Sequence, residues 1–450
     1  MQVRRWHAEL AWLPGGQLGR DVLIEASGSR FSVVTAGVEV AEGATRLAGL
    51  TLPGFANAHS HAFHRALRGS TQAGRGSFWT WRKIMYSVAA RLDPDSYFTL
   101  ARAVYAEMAL AGISCVGEFH YLHHQPGGRP YADPNAMGQA LIAAAAEAGL
   151  RMTLLDTCYL AGGLSGDGHL PLGPEQLRFG DRDWAARVSA LGPDEHGMLS
   201  PQVRAGAAIH SVRAVPLEQM GPVVAWAHHY GAPLHAHMSE QVAENEACQA
   251  FYGLSPTRLL ESAGAIGPRT SVVHATHVTA DDMALLGDCQ AHACICPTTE
   301  RDLGDGLAPS LDLATAGCKL TLGSDSHAVI DMLEEARGVE YCERLARQSR
   351  GVFTAAALLD AATCTGHASL GWPDAGEIAP GAWADLVTVS LDSVRTAGAV
   401  APVETVLFSA TAADIRDVVI GGRDVVRDGT HLLVPDVAAA LSGAIRAVAS

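Results

Sequence analysis

Short apolar runs alternate with longer segments of helical periodicity through the middle of this chain. Eight runs have the length and composition of buried strands, and the segments between them, as at 100–111, 135–148 and 215–229, space their apolar residues as helices do. Eight such alternating units predict an α/β fold, a (β/α)8 TIM barrel. A doubly wound sheet is the alternative, but no Gly-x-Gly-x-x-Gly turn follows the first run. The eight runs are 55–59, 113–118, 151–157, 203–210, 233–237, 271–274, 293–296 and 319–325.

The two ends of the chain have a different pattern. Residues 1 to about 50 are rich in Val, Leu, Thr and Gly and carry turn signals at 14–16 and 27–29, which is typical of short antiparallel strands. The stretch from about residue 375 is similar. We therefore predict one small β-sandwich domain formed by residues 1–50 and 375–450, with the barrel spanning residues 51–374.

Composition narrows the class of protein. The 450 residues are 48% hydrophobic and 18% charged, which allows a large core, and the net charge of −15 argues against nucleic acid as a partner. No apolar stretch has membrane-spanning length, and the N-terminus lacks the pattern of a signal peptide. We expect a cytoplasmic protein with no membrane partner.

Nine cysteines are dispersed through the chain, and several lie in apolar runs. This pattern favours reduced core thiols in a cytosolic protein. Cys294 and Cys296 are alternative metal ligands, but no second cysteine pair follows at the spacing of a zinc ribbon.

Histidines and carboxylates collect where the predicted strands end. The carboxyl ends of barrel strands meet at one face, so these side chains are expected to lie together. A single histidine there is more simply a packed, hydrogen-bonded residue, but the joint pattern favours a hydrolytic zinc site of three imidazoles, one carboxylate and an open position. The residues are His59, His61, His210, His235, His237, Glu240, His274, His277 and Asp325.

Several longer motifs between residues 52 and 327 carry a family resemblance. They are His59-Ser60-His61-Ala62-Phe63, Phe78-Trp79-Thr80-Trp81-Arg82, Glu118-Phe119-His120-Tyr121, Tyr131-Ala132-Asp133-Pro134, His210-Ser211-Val212-Arg213, His237-Met238-Ser239-Glu240, Val273-His274, Leu303-Gly304-Asp305-Gly306 and Gly323-Ser324-Asp325-Ser326-His327. With them the chain resembles the single-metal deaminase branch of the amidohydrolase superfamily, and within it the formiminoglutamate deiminases of histidine degradation. The Phe-Trp-Thr-Trp-Arg and Glu-Phe-His-Tyr motifs are the most specific.

The resemblance implies a metal site and a reaction. It gives one zinc ion per subunit, with Fe²⁺ as the alternative, and hydrolysis of N-formimino-L-glutamate to N-formyl-L-glutamate and ammonia. Asp325 would take a proton from the attacking water, His274 would orient that water, and Glu240 would carry a proton to the leaving nitrogen. The implied metal ligands are His59, His61, His237 and Asp325. His235 competes with His237, but the His-x-x-Glu spacing favours His237 and leaves His235 as a supporting or barrel-filling residue.

The implied substrate carries two carboxylates, and arginine suits a carboxylate because it donates two parallel hydrogen bonds. The residues that the resemblance assigns to substrate binding are His64, Arg82, Tyr121, His210 and Arg213. Three of them have plainer, less favoured alternatives. Arg82 is also consistent with a surface arginine stacked beside Trp79 and Trp81, Arg213 with neutralisation of a carboxylate elsewhere, and Tyr121 with a packed aromatic ring.

Two positions depart from the pattern of the formiminoglutamate deiminases. His64 stands where that pattern has glutamine, and residues 299–302, Thr-Glu-Arg-Asp, replace a Glu-Ala-Asn stretch. Histidine reaches differently from glutamine and changes its charge with pH. A shorter formimino-amino acid or a related amidine is therefore an alternative substrate.

Two further functions remain open on the sequence. One is deamination of a purine or pterin ring by an enzyme of the same branch, and the other, less favoured, is a non-catalytic barrel that serves as a scaffold. For an enzyme of this branch we expect a small substrate, anionic for a formimino-amino acid, and a homodimer.

Overall fold

The computed structural model describes residues 3–40, 42–73 and 78–449, without the side chains of residues 78 and 79. Its strands alternate with helices through the middle of the chain and cluster at both ends. The strands are β1 Val3–Leu13, β2 Gln17–Ser27, β3 Arg30–Thr35, β4 Thr45–Pro53, β5 Phe55–Ser60, β6 Ile113–His120, β7 Arg151–Cys158, β8 Gly163–Ser165, β9 Gly168–Leu170, β10 Met198–Ser200, β11 Val203–Ile209, β12 Leu234–Met238, β13 Thr270–His274, β14 His292–Ile295, β15 Lys319–Leu322, β16 Leu386–Val389, β17 Ile415–Ile420, β18 Arg423–Arg427 and β19 Thr430–His431.

The helices begin at recognisable signals. Asp93 and Thr279, for example, each cap a helix and form a reciprocal capping box with the residue three positions later. The helices are α1 Phe78–Ala89, α2 Pro94–Leu110, α3 Ala136–Ala148, α4 Trp184–Ser189, α5 Leu217–His229, α6 Val242–Tyr252, α7 Pro256–Ser262, α8 Ala280–Asp288, α9 Pro297–Leu303, α10 Ser310–Ala316, α11 Met332–Arg347, α12 Ala355–Ala362, α13 Cys364–Ser369, α14 Pro402–Ser409 and α15 Val437–Ala449, with 3-10 turns at Ala62–Leu67 and Ala412–Asp414.

Eight parallel strands form the barrel, in the order β5-β6-β7-β11-β12-β13-β14-β15. These are the eight predicted runs, and the prediction of a TIM barrel is confirmed. Strands β5, β6, β7 and β12 are buried along their whole length, which explains why they appear in the sequence as nearly continuous apolar runs. The last run is shorter than predicted: β15 ends at Leu322, and Asp325, three residues further on, forms an isolated parallel bridge with Ser60 and has a left-handed backbone with φ of 41°.

The two ends of the chain meet in one continuous sheet, ordered β19-β18-β17-β16-β4-β1-β2-β3. The prediction of a small β unit made from both ends is confirmed. Its strand pairs are antiparallel except β1 and β4, which run parallel. The sheet extends to Pro53, which lies opposite Leu386, and the division expected at residue 50 stays a prediction. Helices α14 and α15 also fall within 375–450.

The barrel closes between its first and last strands at the segment that follows β15. The backbone N–H of Asp325 donates to the carbonyl of His59 at 3.0 Å, and that of His61 donates to the carbonyl of Asp325 at 3.3 Å. The approach is close: a Cβ atom on Gly323 would lie 2.7 Å from the Cβ of His59 and 3.0 Å from the sulfur of Cys296. Glycine is therefore required where the first and last barrel strands meet.

A fully buried ion pair joins the barrel to the terminal sheet. Arg151, at the start of β7, bonds with both nitrogens to the carboxylate of Asp385, which also accepts a hydrogen bond from the backbone of Gly421. The guanidinium lies 4.0 Å from the ring centre of Trp383 and 5.1 Å from that of Trp372. These contacts fix the two sheets against each other at the amino-terminal end of the barrel.

Over the part of the chain that the structure describes, no helix is both long and apolar enough to cross a bilayer. All nine cysteines are free thiols.

Candidate metal centre

Three imidazoles and one carboxylate converge at the carboxyl ends of the barrel strands. The Nε2 atoms of His59 and His61 each lie 3.3 Å from Oδ1 of Asp325, and Nε2 of His237 lies 3.0 Å from Nε2 of His59. One ligand atom from each residue lies within 4.8 Å of the others, and all four residues are buried. The four residues predicted as ligands therefore lie together, and we call them the metal cluster.

Two of the imidazoles are oriented by the backbone. Nδ1 of His61 lies 2.9 Å from the carbonyl of Phe119, and Nδ1 of His237 lies 2.9 Å from the carbonyl of His210. A carbonyl only accepts, so Nδ1 carries the proton and the lone pair of Nε2 faces the centre. Burial lowers the pKa of His61 to about 3 and that of His237 well below its usual value, so both rings are neutral.

The donor set fits zinc. Three neutral imidazoles and a carboxylate, all buried and convergent, match the ligands of a hydrolytic zinc ion with an open position. Burial raises the pKa of Asp325, but the hydrogen bond with His59 and the favourable electrostatic interaction with that ring outweigh burial and lower the pKa, so the carboxyl is ionised. Zinc held here would lower the pKa of a bound water towards neutrality and so supply a nucleophile.

His274 lies beside the metal cluster and is held by a carboxylate behind it. Its Nδ1 is 3.4 Å from Oε1 of Glu300, and its Nε2 is 3.9 Å from both Glu240 and Asp325. Burial alone would lower the pKa of His274, but the hydrogen bond to Glu300 and the charges of Glu240 and Asp325 raise it to about 10. The ring is therefore an imidazolium whose free N–H points between the two predicted proton carriers.

Left-handed backbone conformations cluster at this face. His274, Asp325 and Ser239 have φ of 73°, 41° and 52°, although none is glycine. Such conformations cost free energy and persist where surrounding contacts enforce them. All three residues lie at or just beyond the carboxyl ends of barrel strands, which is the face that carries the metal cluster.

A cavity of 370 Å³ opens above the metal cluster. Its walls contain every predicted substrate-binding residue, together with Glu240, His274 and Asp325. The five are His64, Arg82, Tyr121, His210 and Arg213.

The family model that matches residues 50–425 is described as the amidohydrolase family. The chain belongs to the amidohydrolase family. It is 37% identical over 445 residues, 94% of the chain, to the formimidoylglutamate deiminase of Pseudomonas aeruginosa, covering 95% of that protein. It is 31% identical over 405 residues to the 8-oxoguanine deaminase of the same organism, covering 84% of the chain and 83% of the relative. The crystal structure of an amidohydrolase from Brucella melitensis aligns over 99% of this chain and 100% of its own, with a TM-score of 0.91 and 32% identity.

These relatives confirm the predicted family and the prediction of an enzyme that hydrolyses C–N bonds. The protein is an amidohydrolase-type deaminase.

Arg213 is already paired in this amidohydrolase. Its Nη2 donates to Oε2 of Glu240 at 2.6 Å, and its Nε lies 3.2 Å from Oε2 of Glu244. The alternative interpretation of Arg213, neutralisation of a carboxylate, therefore describes a contact that is present. The same side chain still lines the cavity and remains 21% exposed, so both interpretations are compatible.

Of the other residues predicted to contact the substrate, His64 pairs with Tyr121, Arg82 pairs with Tyr86, and Nδ1 of His210 lies 3.2 Å from the hydroxyl of Ser211. Nε2 of His64 lies 3.0 Å from the hydroxyl of Tyr121, and the ring of His64 packs 5.1 Å from Trp81. Nε of Arg82 donates to the hydroxyl of Tyr86 at 2.5 Å. His64 is buried and its pKa is lowered well below the usual value by that burial, so it is a neutral donor or acceptor in the wall.

His235 lies outside the metal cluster. Its Nε2 is 3.2 Å from the carbonyl of Ser369, and its ring is fully buried. It therefore fills the barrel below the site, while His237, two residues further along β12, reaches the mouth. Cys296 lies near the site, since its sulfur is within 4.8 Å of ligand atoms of His274 and Asp325, but burial raises the pKa of its thiol well above the usual value. A neutral buried thiol agrees with the prediction of a core cysteine.

Sequence reasoning missed several residues of the site. Tyr86 and Tyr159 line the cavity, Glu300 supports His274, and Glu244 holds Arg213. For Tyr86 a signal existed, because it lies four residues after Arg82 on helix α1, where residues i and i+4 share a face.

Proposed function

We propose that the protein hydrolyses N-formimino-L-glutamate to N-formyl-L-glutamate and ammonia, with one zinc ion in the metal cluster. The observation that carries the proposal is a cavity over the metal cluster whose wall combines two arginines, Arg82 and Arg213, with Tyr121 and His210. Guanidinium groups bind carboxylates with two parallel hydrogen bonds, and a small dicarboxylate is matched by two of them. The 37% identity to a formimidoylglutamate deiminase supports the same choice.

The roles of the remaining residues follow from their positions. Asp325 takes a proton from the attacking water, and the imidazolium of His274 lies 3.9 Å from that carboxylate, where it stabilises developing negative charge. Glu240 lies on the other side of His274 at 3.9 Å and delivers a proton to the departing nitrogen.

A second candidate is deamination of a purine such as 8-oxoguanine. Aromatic side chains on the cavity wall, including Trp81, Tyr159 and Phe179, provide faces on which a flat ring would stack. The 31% identity to an 8-oxoguanine deaminase supports this candidate as well. A formimino derivative of a shorter amino acid is a variant of the first candidate that His64 keeps open.

Ammonia release by the zinc-loaded protein separates these candidates. We expect the highest kcat/KM with formiminoglutamate, a lower value with formiminoaspartate, and a value roughly 100-fold lower with formiminoglycine, since the absence of each hydrogen bond to a charged group costs about 1.5–3 kcal/mol. A higher kcat/KM with 8-oxoguanine than with any formimino-amino acid would reject the proposal. One zinc per subunit and a homodimer stay predictions, to be checked by metal analysis and light scattering.

Replacement of Arg213 by methionine tests the contact to the substrate. We expect Arg213→Met to lower kcat/KM for formiminoglutamate by about 100-fold or more, because a charged hydrogen-bond partner of the substrate is removed. The zinc content should remain that of the wild type. Unchanged kcat and KM would show that Arg213 does not touch the substrate.

A further inference from the structure

Glu244 is a buried carboxylate that none of the assigned roles uses. It lies in the first turn of α6, and its side chain is fully buried. One oxygen, Oε1, accepts a hydrogen bond from the backbone N–H of Ser239 at 2.9 Å. The other, Oε2, lies 3.2 Å from Nε of Arg213. A buried carboxylate needs such partners, since an uncompensated one is costly.

The two contacts of Glu244 both bear on the segment from His237 to Glu240. Ser239 has a left-handed backbone with φ of 52° and lies between the metal ligand His237 and the proton carrier Glu240. The hydrogen bond from Ser239 to Glu244 therefore holds the turn that aims both side chains. Through Arg213, Glu244 also faces the carboxylate of Glu240.

Two of the three guanidinium nitrogens of Arg213 contact carboxylates of the protein, and the side chain also lines the cavity. Nε faces Glu244 and Nη2 faces Glu240, while Nη1 makes no hydrogen bond to the residues that the structure describes. A carboxylate binds a guanidinium at two points through Nη2 together with either Nε or Nη1. Since Nε faces Glu244, a carboxylate in the cavity would bind Nη1 and Nη2, and Nη2 is also the nitrogen that donates to Glu240.

We propose that Glu244 is a positioning residue that anchors Arg213 at Nε, so that a carboxylate of the substrate displaces Glu240 from Nη2 and frees it for proton transfer. This inference rests on the proposed function. In hydrolysis the water oxygen bonds to the formimino carbon, the bond from that carbon to the terminal nitrogen breaks, and both protons of the water end on the nitrogen that leaves as ammonia. Glu240 transfers protons only when its carboxylate is not hydrogen-bonded to Arg213. Binding of the substrate carboxylate is therefore coupled to proton transfer.

A double-mutant cycle tests the coupling. Glu244→Gln keeps an oxygen for the N–H of Ser239 but loses the charge that anchors Arg213. With formiminoglutamate we expect kcat to fall by about 10- to 100-fold, with a smaller change in KM and unchanged zinc content, and we expect the effect to vanish in the Arg213→Met background. Glu246→Gln, an exposed change on the same helix, is the matched control and should leave kcat unaltered.

The alternative is that Glu244 only supports the fold of the turn. In that case Glu244→Gln would cost the same factor with and without Arg213, and that additive result would overturn the inference. A second measurement uses formamidine, which lacks both the carbon chain and the carboxylates: glutarate added with it should speed ammonia release by the wild type at least about 10-fold and have no such effect on Arg213→Met. Absence of acceleration in the wild type would also overturn the inference, whereas a wild type inactive on every formimino-amino acid would overturn the proposed function and the inference together.

Discussion

Two buried groups in this barrel offer nearly the same ligands and differ in one neighbour. The metal cluster combines His59, His61 and His237 with Asp325. A second group, which we call the arginine cluster, combines His120, His123 and Asp156 with Arg187. Ligand atoms of its two histidines and its aspartate also lie within 4.8 Å of one another.

The partners of the aspartate decide what each group can bind. Both oxygens of Asp156 accept from Arg187, at 2.6 and 2.9 Å, and Nε2 of His123 is 2.9 Å from the carbonyl of Thr157. A cation binding there would compete with a fixed guanidinium. Asp325, among the described residues, pairs with imidazoles and with no arginine or lysine. Close ligand atoms are therefore not sufficient for a metal site, because their lone pairs must also be free of hydrogen bonds from other residues.

Loss of the carboxylate should separate the two clusters most strongly. We expect Asp325→Asn to reduce turnover by on the order of 10³-fold or more, because under the proposed function it removes a metal ligand and the acceptor of the water's proton. Asp156→Asn should leave kcat per folded molecule unchanged. Circular dichroism must show a native fold for Asp325→Asn. Activity near that of the wild type would contradict the role assigned to Asp325.

Metal content is the second contrast. His237→Ala should lose most of the bound zinc, whereas His120→Ala should retain about one equivalent per subunit, as elemental analysis after dialysis would show. His235→Ala is a further control on the strand of His237 and should also retain zinc. Loss of zinc from His120→Ala would mean that the arginine cluster binds metal as well.

Stability gives the third contrast. Arg187→Met leaves the buried Asp156 without its cation, and breaking a buried pair in this way costs about 3–5 kcal/mol of unfolding free energy. Urea denaturation at pH 7 measures the loss. A cost below about 1 kcal/mol would contradict this account of the cluster.

The smallest effect concerns pH. Burial raises the pKa of Asp156, but the charge of Arg187 outweighs it and holds that pKa below its usual value, so the pair stabilises the wild type above pH about 4 and that contribution is lost as pH falls. In Arg187→Met burial raises the pKa instead, and protonation then favours the folded state as pH falls. We therefore expect the stability gap between the two proteins to narrow from pH 7 to pH 5. A constant gap would exclude Asp156 as the group responsible.

Much of the barrel and of the metal cluster was predictable because both depend on short-range pattern. Buried parallel strands appear as apolar runs, and their polar ends indicate the ligands. Period-two alternation puts His235 and His237 on one face of β12, so it does not separate them. The two histidines differ in their position along the barrel axis. That position depends on the stagger of neighbouring strands, which cannot be inferred from the sequence pattern.

Contacts between distant segments were beyond the sequence pattern. Nothing in the vicinity of Asp156 indicates that Arg187, 31 positions later, occupies it. The same holds for Arg213 and Glu240, which are 27 positions apart. The first pairing joins strand β7 to helix α4, and the second joins the segments that follow strands β11 and β12. Both depend on how these segments pack across the barrel rather than on local propensity.

The closure of the barrel at Asp325 has a consequence for the lifetime of the protein. The first and last barrel strands are held there by backbone hydrogen bonds that join Asp325 to His59 and His61, and all three residues belong to the metal cluster. An ion in the metal cluster would therefore link the first barrel strand to the segment that follows the last one. Removal of the metal by a chelator should then make the amides between these two strands the first to exchange hydrogen and this region the first to be cleaved by a protease. The availability of metal would therefore determine how long each molecule stays intact.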